Sequence, residues 1–291
     1  MTNNKPAIMV FVLPTLLFFT LFVFVPVLMT VYYSLLEWDS INPSVFIGIG
    51  NFIELFGSRE FATSIRNSFV LVAMSIFIQL PLAMFLSLSL NRGIGREGIY
   101  RSLFFIPVIL PSVVIGNLWL RIYNPNYGIL NSFLRTIGLE SLASPWLGDI
   151  RTAIYCVFIP LVWQYIGYYM LLFYSALKSI STDVIEAAKL DGASFLQLDW
   201  HINIPMIIPM IRVCLVFAAV GSLKTFDLIY IMTNGAPAGA TEILATYMYK
   251  GIFSRNRYGY GSAIALWLII LCFLFTYIID RLVRKIEQKN I

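Results

Sequence analysis

The chain has 291 residues, of which 59% are hydrophobic and only 12% charged, with a formal net charge of +5. Soluble domains carry about a quarter charged residues, so one soluble domain could not hide this much apolar surface, and the bilayer is the expected solvent. A basic excess this small orients helices in a polytopic protein and gives no reason to expect a nucleic-acid partner.

Six stretches have the roughly 20 apolar residues that a crossing needs. They cover about 8–33, 68–90, 103–123, 152–177, 206–232 and 260–279. The expected fold is therefore all-α, a polytopic membrane protein of six transmembrane helices in a single domain, 1–291. The first stretch is too long for a signal-peptide core and lacks a small-residue cleavage site, which makes it a retained helix. Cys156, Cys214 and Cys272 all fall inside spans, where they act as small hydrophobes and imply no disulfide framework. Pro81, Pro107, Pro111, Pro160 and Pro209 punctuate the spans. Each frees a carbonyl that neighbours must satisfy, and the result is either irregular packing or kinks that shape a cavity.

Loop charges set the orientation. With Met1 in the cytoplasm, the short inner segments carry Lys5, Arg92, Arg96, Arg101, Lys178, Lys189, Arg281, Arg284, Lys285 and Lys289. The longer outer loops hold Arg59, Arg66, Arg135, Arg151, Lys250, Arg255 and Arg257. The higher density in the short segments places both termini inside.

One inner loop, residues 178–205, is unusual. Asp183 and Glu186 have N-cap and N3 spacing, Glu186 to Leu190 are good helix formers, and Gly192 is a natural stop. Ser194 and Gln197 form a second capping box that opens a short helix through about His201, and Pro205 stands where a first turn would launch the fifth span. Two short helices joined at a glycine bend cannot cross a bilayer and should lie at its surface. Ala187, Ala188 and Ala193 permit close approach, while Glu186 and Asp191 offer charge to basic groups of a partner. Spacing alone fits an ordinary surface connector equally well.

Catalysis lacks parts. His201 is the single histidine, so no His or Cys metal set can converge, and neither a nucleophile elbow nor a phosphate loop occurs. Only Asp227 among the aspartates lies within a span, which excludes a paired-aspartate protease.

Polar groups inside spans are costly and mark candidate sites. In the fourth span Gln164 and Tyr168 lie one turn apart, next to Tyr165 and Trp163. In the fifth, Ala218, Gly221, Ser222 and Thr225 make a small, partly polar stripe. The two stripes either leave room for a hydrated molecule or merely let helices approach. Lys224 and Asp227, three apart, form either a self-neutralising pair beside a pathway or a structural pair. Arg212 is expected to snorkel to the inner headgroups. Asn117 is a weaker candidate for pathway lining or an interhelical bond.

The loop also carries a family resemblance. "EAAKLDGASFLQLDWHINIPMIIP" resembles the signature loop of binding-protein-dependent ABC importer permeases. Glu186, Ala187, Ala188, Asp191, Gly192, Ala193, Ile202 and Pro205 fill the signature places. The stretches Arg101–Asn131 and Phe226–Pro237 resemble the carbohydrate-importer branch, the maltose and glycerol-phosphate permeases; Ala236 departs from it where many members have a second glycine. The resemblance covers nearly the whole chain.

It implies a permease subunit paired with a second homologous permease. Two ATPase subunits would bind ATP and Mg, an extracellular or periplasmic solute-binding protein would deliver a sugar, and the chain itself would hold no cofactor or metal. The loop would be the coupling helix, with Glu186 facing a basic residue of the ATPase and Gly192 making the bend. Gln164, Tyr165, Tyr168, Ala218, Gly221, Ser222, Lys224, Thr225 and Asp227 would be candidates for the sugar pathway. A self-contained channel or secondary transporter is the competing reading. It needs no docking knob, and a proton-coupled carrier calls for more buried ionisable groups.

Overall fold

The computed structural model describes residues 5–93 and 95–288; Met1 and Lys289, both used in the orientation argument, lie outside them. In chain order, α1 (Met9–Ser34) leads through paired strands β1 (Leu36–Glu37) and β2 (Val45–Phe46) to α2 (Gly50–Gly57) and then α3 (Arg59–Asn91). Next come α4 (Glu97–Ile109), α5 (Ser112–Ile122), the short α6 (Ile129–Thr136) and the long α7 (Ala153–Lys178). The following loop holds α8 (Thr182–Leu190) and α9 (Phe195–Leu198), the latter prolonged by a π turn, Asp199–Asn203, and a last turn, Ile204–Met206. The remaining helices are α10 (Ile208–Lys224), α11 (Asp227–Met232), α12 (Leu244–Tyr249) and α13 (Tyr258–Glu287).

Among the described residues the protein is mostly helical, and its strands form a two-residue antiparallel ladder pairing Leu36 with Phe46 and Glu37 with Val45. Among the described residues five helical stretches are long and apolar enough to cross a membrane, and the bent pair α4–α5 makes a sixth. That pair corrects the expectation of a continuous third span, because its halves meet at 95°. Pro111 explains the break. Its ring disfavours helical geometry at the preceding residue, and Leu110 and Pro111 have ψ of 135° and 140°.

Other boundaries differ from the hydropathy reading, among them the end of the sixth span, which runs on to Glu287. α3 begins at Arg59, so Arg59 and Arg66, counted with the outer loop, are helical. Its first turns were missed because their buried face is polar: Ser64, Asn67 and Ser68 are all buried. Asn67 donates to the carbonyls of Ala240 and Glu242, each at 2.8 Å, and Ser68 Oγ accepts from the Leu244 N–H at 3.1 Å. The fifth span starts at Ile208 and breaks at Thr225–Phe226, so Pro209, not Pro205, occupies its first turn.

The contacts divide the chain into two compact units, Met1–Phe61 with Tyr247–Ile269, and Ala62–Thr246 with Ile270–Ile291. In the first, no residue of the most apolar window of α1 is buried, as a helix apolar all round requires of a lipid-facing element. Below it, Asn51 is buried and its amide caps the carbonyls of Ser34 and Leu36 at 2.9 and 2.8 Å. Arg257 grips Glu54 with two hydrogen bonds, one of 2.6 Å, which holds the carboxyl of Glu54 below its ordinary range. In the second unit α3, α4 and α10 pack on α7, whose inward face includes Met170, Phe173 and Leu177. Arg212, expected to reach the inner headgroups, pairs with Glu287 at 3.1 Å and Asp280 at 3.7 Å on α13.

Candidate coupling loop and membrane cavity

The loop forms the expected glycine-bent pair of helices with one correction. The first N-cap is Ser181, whose hydroxyl accepts from the Asp183 N–H, so Asp183 lies inside the first turn and no Asp183–Glu186 box forms. The end of α8 is a complete Schellman closure, in which the Gly192 N–H donates to Lys189 and the Ala193 N–H to Ala188, both at 3.0 Å. Gly192 sits at φ +83°, a conformation that L side chains rarely adopt. The second box is present, with Ser194 Oγ on the Gln197 N–H and the Gln197 side chain back on the Ser194 N–H. The helix it opens does not stop at His201 but continues through Met206.

Glu186, Ala187, Asp191 and Gly192 are exposed, whereas Ala188, Ala193, Ile202 and Pro205 are half-buried. Sequence reasoning missed the apolar part of this surface. Leu190 is 89% exposed, and Phe195, Leu196 and Trp200 are also open. Large apolar side chains at these four positions of a surface loop were the available signal. The loop is tied down by Ile185, which packs on the bundle core, and by Asp199, whose carboxylate accepts from Arg92 at 2.5 Å. His201 is a surface residue with its ring against the Gln197 carbonyl at 3.1 Å.

The second unit also holds a cavity of about 650 Å³ lined from α3, α4, α5, α7, α10 and α11. All nine pathway candidates reach it. Gln164, Tyr165 and Tyr168 come from α7, and Ala218, Gly221, Ser222 and Lys224 from α10. Thr225 and Asp227 flank the break between α10 and α11 and line it too. Ser75 and Gln79, on a π turn of α3, were not anticipated: Ser222 Oγ donates to Ser75 Oγ at 2.8 Å, and Gln79 donates to the Val162 carbonyl at 3.2 Å. Such π turns often accompany functional positions, but a hydropathy reading cannot see them.

The cavity lies beside both helix breaks, and that is where backbone polar groups can be left for a guest. The Gln164 amide reaches the Leu110 carbonyl at 3.5 Å, while its own buried carbonyl oxygen has no donor. Because the helix breaks between Lys224 and Asp227, the expected three-residue helical pairing does not form. Both are exposed to the cavity, so it offers one cation and one anion. Asn117 turns back to the Val113 carbonyl of its own helix at 2.8 Å and bridges nothing, and Trp163 stacks edge-on with Trp119 outside the cavity.

Residues 79–288 match the family described as binding-protein-dependent transport system inner membrane component. The chain belongs to this family. Membership makes the permease a multi-pass membrane transport subunit and not an enzyme. It is 36% identical over 272 residues to the probable ABC transporter permease protein YurN of Bacillus subtilis, covering 92% of this chain and 93% of that one. It is 31% identical to the trehalose/maltose transport system permease protein MalF of Thermococcus litoralis over 270 residues, 92% of the permease and 90% of the relative. A solved bacterial alginate ABC transporter, in complex with an alginate-pentasaccharide-bound periplasmic protein, shares the fold at a TM-score of 0.85 and 21% identity, covering 98% of this chain and 96% of that chain.

Proposed function

We propose that this permease, as one domain over 1–291, forms half of the membrane pathway of an ATP-driven carbohydrate importer. A second homologous permease supplies the other half. Two ATPase subunits, which themselves bind ATP and Mg, dock on the exposed loop, and an extracellular or periplasmic binding protein delivers the sugar. Both termini lie in the cytoplasm of a bacterial cell.

The observation that carries this reading is the cavity at the two broken spans. Its lining mixes polar and apolar side chains, contains aromatic rings from Tyr165 and Tyr168, and holds an unsatisfied Gln164 oxygen, features suited to hydroxyl groups and sugar faces. The names of the trehalose/maltose relative and the alginate transporter support the same substrate class. Docking of the ATPase would fall on Glu186, Ala187, Ala188, Asp191, Gly192 and Ala193, with Ile202 and Pro205 holding the return to α10.

The test is reconstitution of the complete complex in liposomes with its binding protein and a panel of radiolabelled mono- to oligosaccharides. ATP-dependent accumulation of at least one sugar is expected. Uptake that proceeds without the ATPase, or no uptake of any carbohydrate, would remove the reading.

A further inference from the structure

One ion pair joins the exposed loop to the helix that reaches the cavity. Arg92 follows the last turn of α3 and donates to Asp199 Oδ2 at 2.5 Å, while the other carboxylate oxygen accepts from Asn203 Nδ2 at 2.8 Å. The Asp199 side chain is 7% exposed and that of Arg92 39%, so the carboxylate is buried and the guanidinium seals it. The Arg92 guanidinium also lies 5.9 Å from the Phe195 ring centroid at the start of α9. About four turns back along the same α3, Ser75 and Gln79 occupy the π turn at the cavity wall, bonded to Ser222 of α10 and to the α7 backbone. A single helix therefore holds the loop at one end and the cavity at its middle.

We propose that Arg92 and Asp199 are positioning residues for transport, the contact through which displacement of the loop is passed to α3 and on to Ser75 and Gln79. The inference rests on the loop being the ATPase-docking element. Helix α3 is stiff along its axis, and a loop movement that drags Asp199 must drag Arg92 or strand a buried charge. Losing one partner of a buried pair is far costlier than losing both, because the remaining carboxylate has nothing to compensate it. The regular hydrogen-bond ladder of α3 is interrupted at the π turn and at Pro81 just after it, so motion can change the cavity wall there without unwinding the helix.

The experiment is a double-mutant cycle of Arg92→Gln, Asp199→Asn and the two combined, each in the complete reconstituted complex. The readout is solute taken up per ATP hydrolysed, with ATPase retained after purification as the measure of assembly. Each single substitution is expected to lower that ratio about tenfold, and the combination to do no worse than either single, the non-additivity of a direct pair. ATPase lost from the singles and regained in the combination would reduce the pair to an assembly contact and overturn the proposal. Ratios equal to the unmodified complex, effects that multiply, or ATPase lost from all three would overturn it. The unmodified complex, run alongside, reports on the importer reading itself: if it couples ATP to uptake, a failure of the cycle belongs to Arg92 and Asp199 alone.

Discussion

Gly167 on α7 lies directly beneath the main-chain carbonyl of Phe104 on α4, and a Cβ built on Gly167 would overlap that oxygen. The obstacle is backbone, so no rotamer change relieves it. α4 leads straight to Leu110, whose carbonyl faces the Gln164 amide, so the glycine sets how closely α4 approaches the cavity wall. Gly167→Ala should displace α4 and cost about 1–3 kcal/mol of stability, the usual range for overpacking. Thermal unfolding in detergent measures this; a variant as stable as the parent would mean that α4 yields freely.

Ser222→Leu tests the cavity. Ser222 is buried, bonded to Ser75 and lines the cavity, so the longer side chain breaks the bond and fills space that a solute would need. Gln164→Ala removes the unsatisfied oxygen with the amide. Polar groups inside a span are expensive to keep, and their removal at a pathway lowers transport rather than assembly. Uptake in the reconstituted complex should fall about tenfold for either substitution, a barrier change of roughly 1.4 kcal/mol, with ATPase retained on purification. Loss of ATPase instead would assign both residues to packing alone.

How much was readable depended on the range of the signal. Hydropathy found all six apolar stretches because each is a local property of about 20 residues. It missed the polar first turns of α3, since the partners of Asn67 lie at 240 and 242. It also missed the sharp break at Pro111, because proline in a span announces a kink but not its angle. Local capping chemistry was legible in Ser194, Gln197 and Gly192 and misassigned at Asp183, where Ser181 offered a competing cap two residues earlier. The helical stripes on α7 and α10 did converge on one cavity, whereas Arg92–Asp199 joins residues 107 positions apart and has no local signature.

The acid response of the first unit follows from Glu54. Its hydrogen bonds from Arg257 lower its pKa below the ordinary 4.5. A depressed carboxylate contributes stability that is fully present above the unfolded value and is lost as pH falls through the folded one. The pair is about half exposed, so screening leaves only a few tenths of a kcal/mol. Unfolding followed from pH 7 down to below pH 4.5 should therefore show a small loss that Glu54→Gln abolishes. An identical acid limb in the substituted protein would show that the Arg257 contact contributes nothing.

The loop makes the sharpest prediction, because its outer residues contribute little to the permease itself. Glu186 and Leu190 are exposed, so Glu186→Ala and Leu190→Ser should leave the stability of the isolated chain within about 0.5 kcal/mol of the parent. Gly192→Ala differs, since at φ +83° with nothing within 4 Å of its Cβ the penalty is purely conformational, about 1 kcal/mol. In the assembled complex all three should lower solute-stimulated ATP hydrolysis and uptake together, with capture of solute by the binding protein unchanged. For Glu186 and Leu190 the loss would come from missing contact with the ATPase, and for Gly192 from a loop that no longer holds its bend. Raising the ATPase concentration separates the two, because weakened contact is rescued by mass action and a misdirected loop is not. Uptake unaltered in Glu186→Ala would remove that residue from coupling, and rescue of Gly192→Ala by excess ATPase would remove the bend.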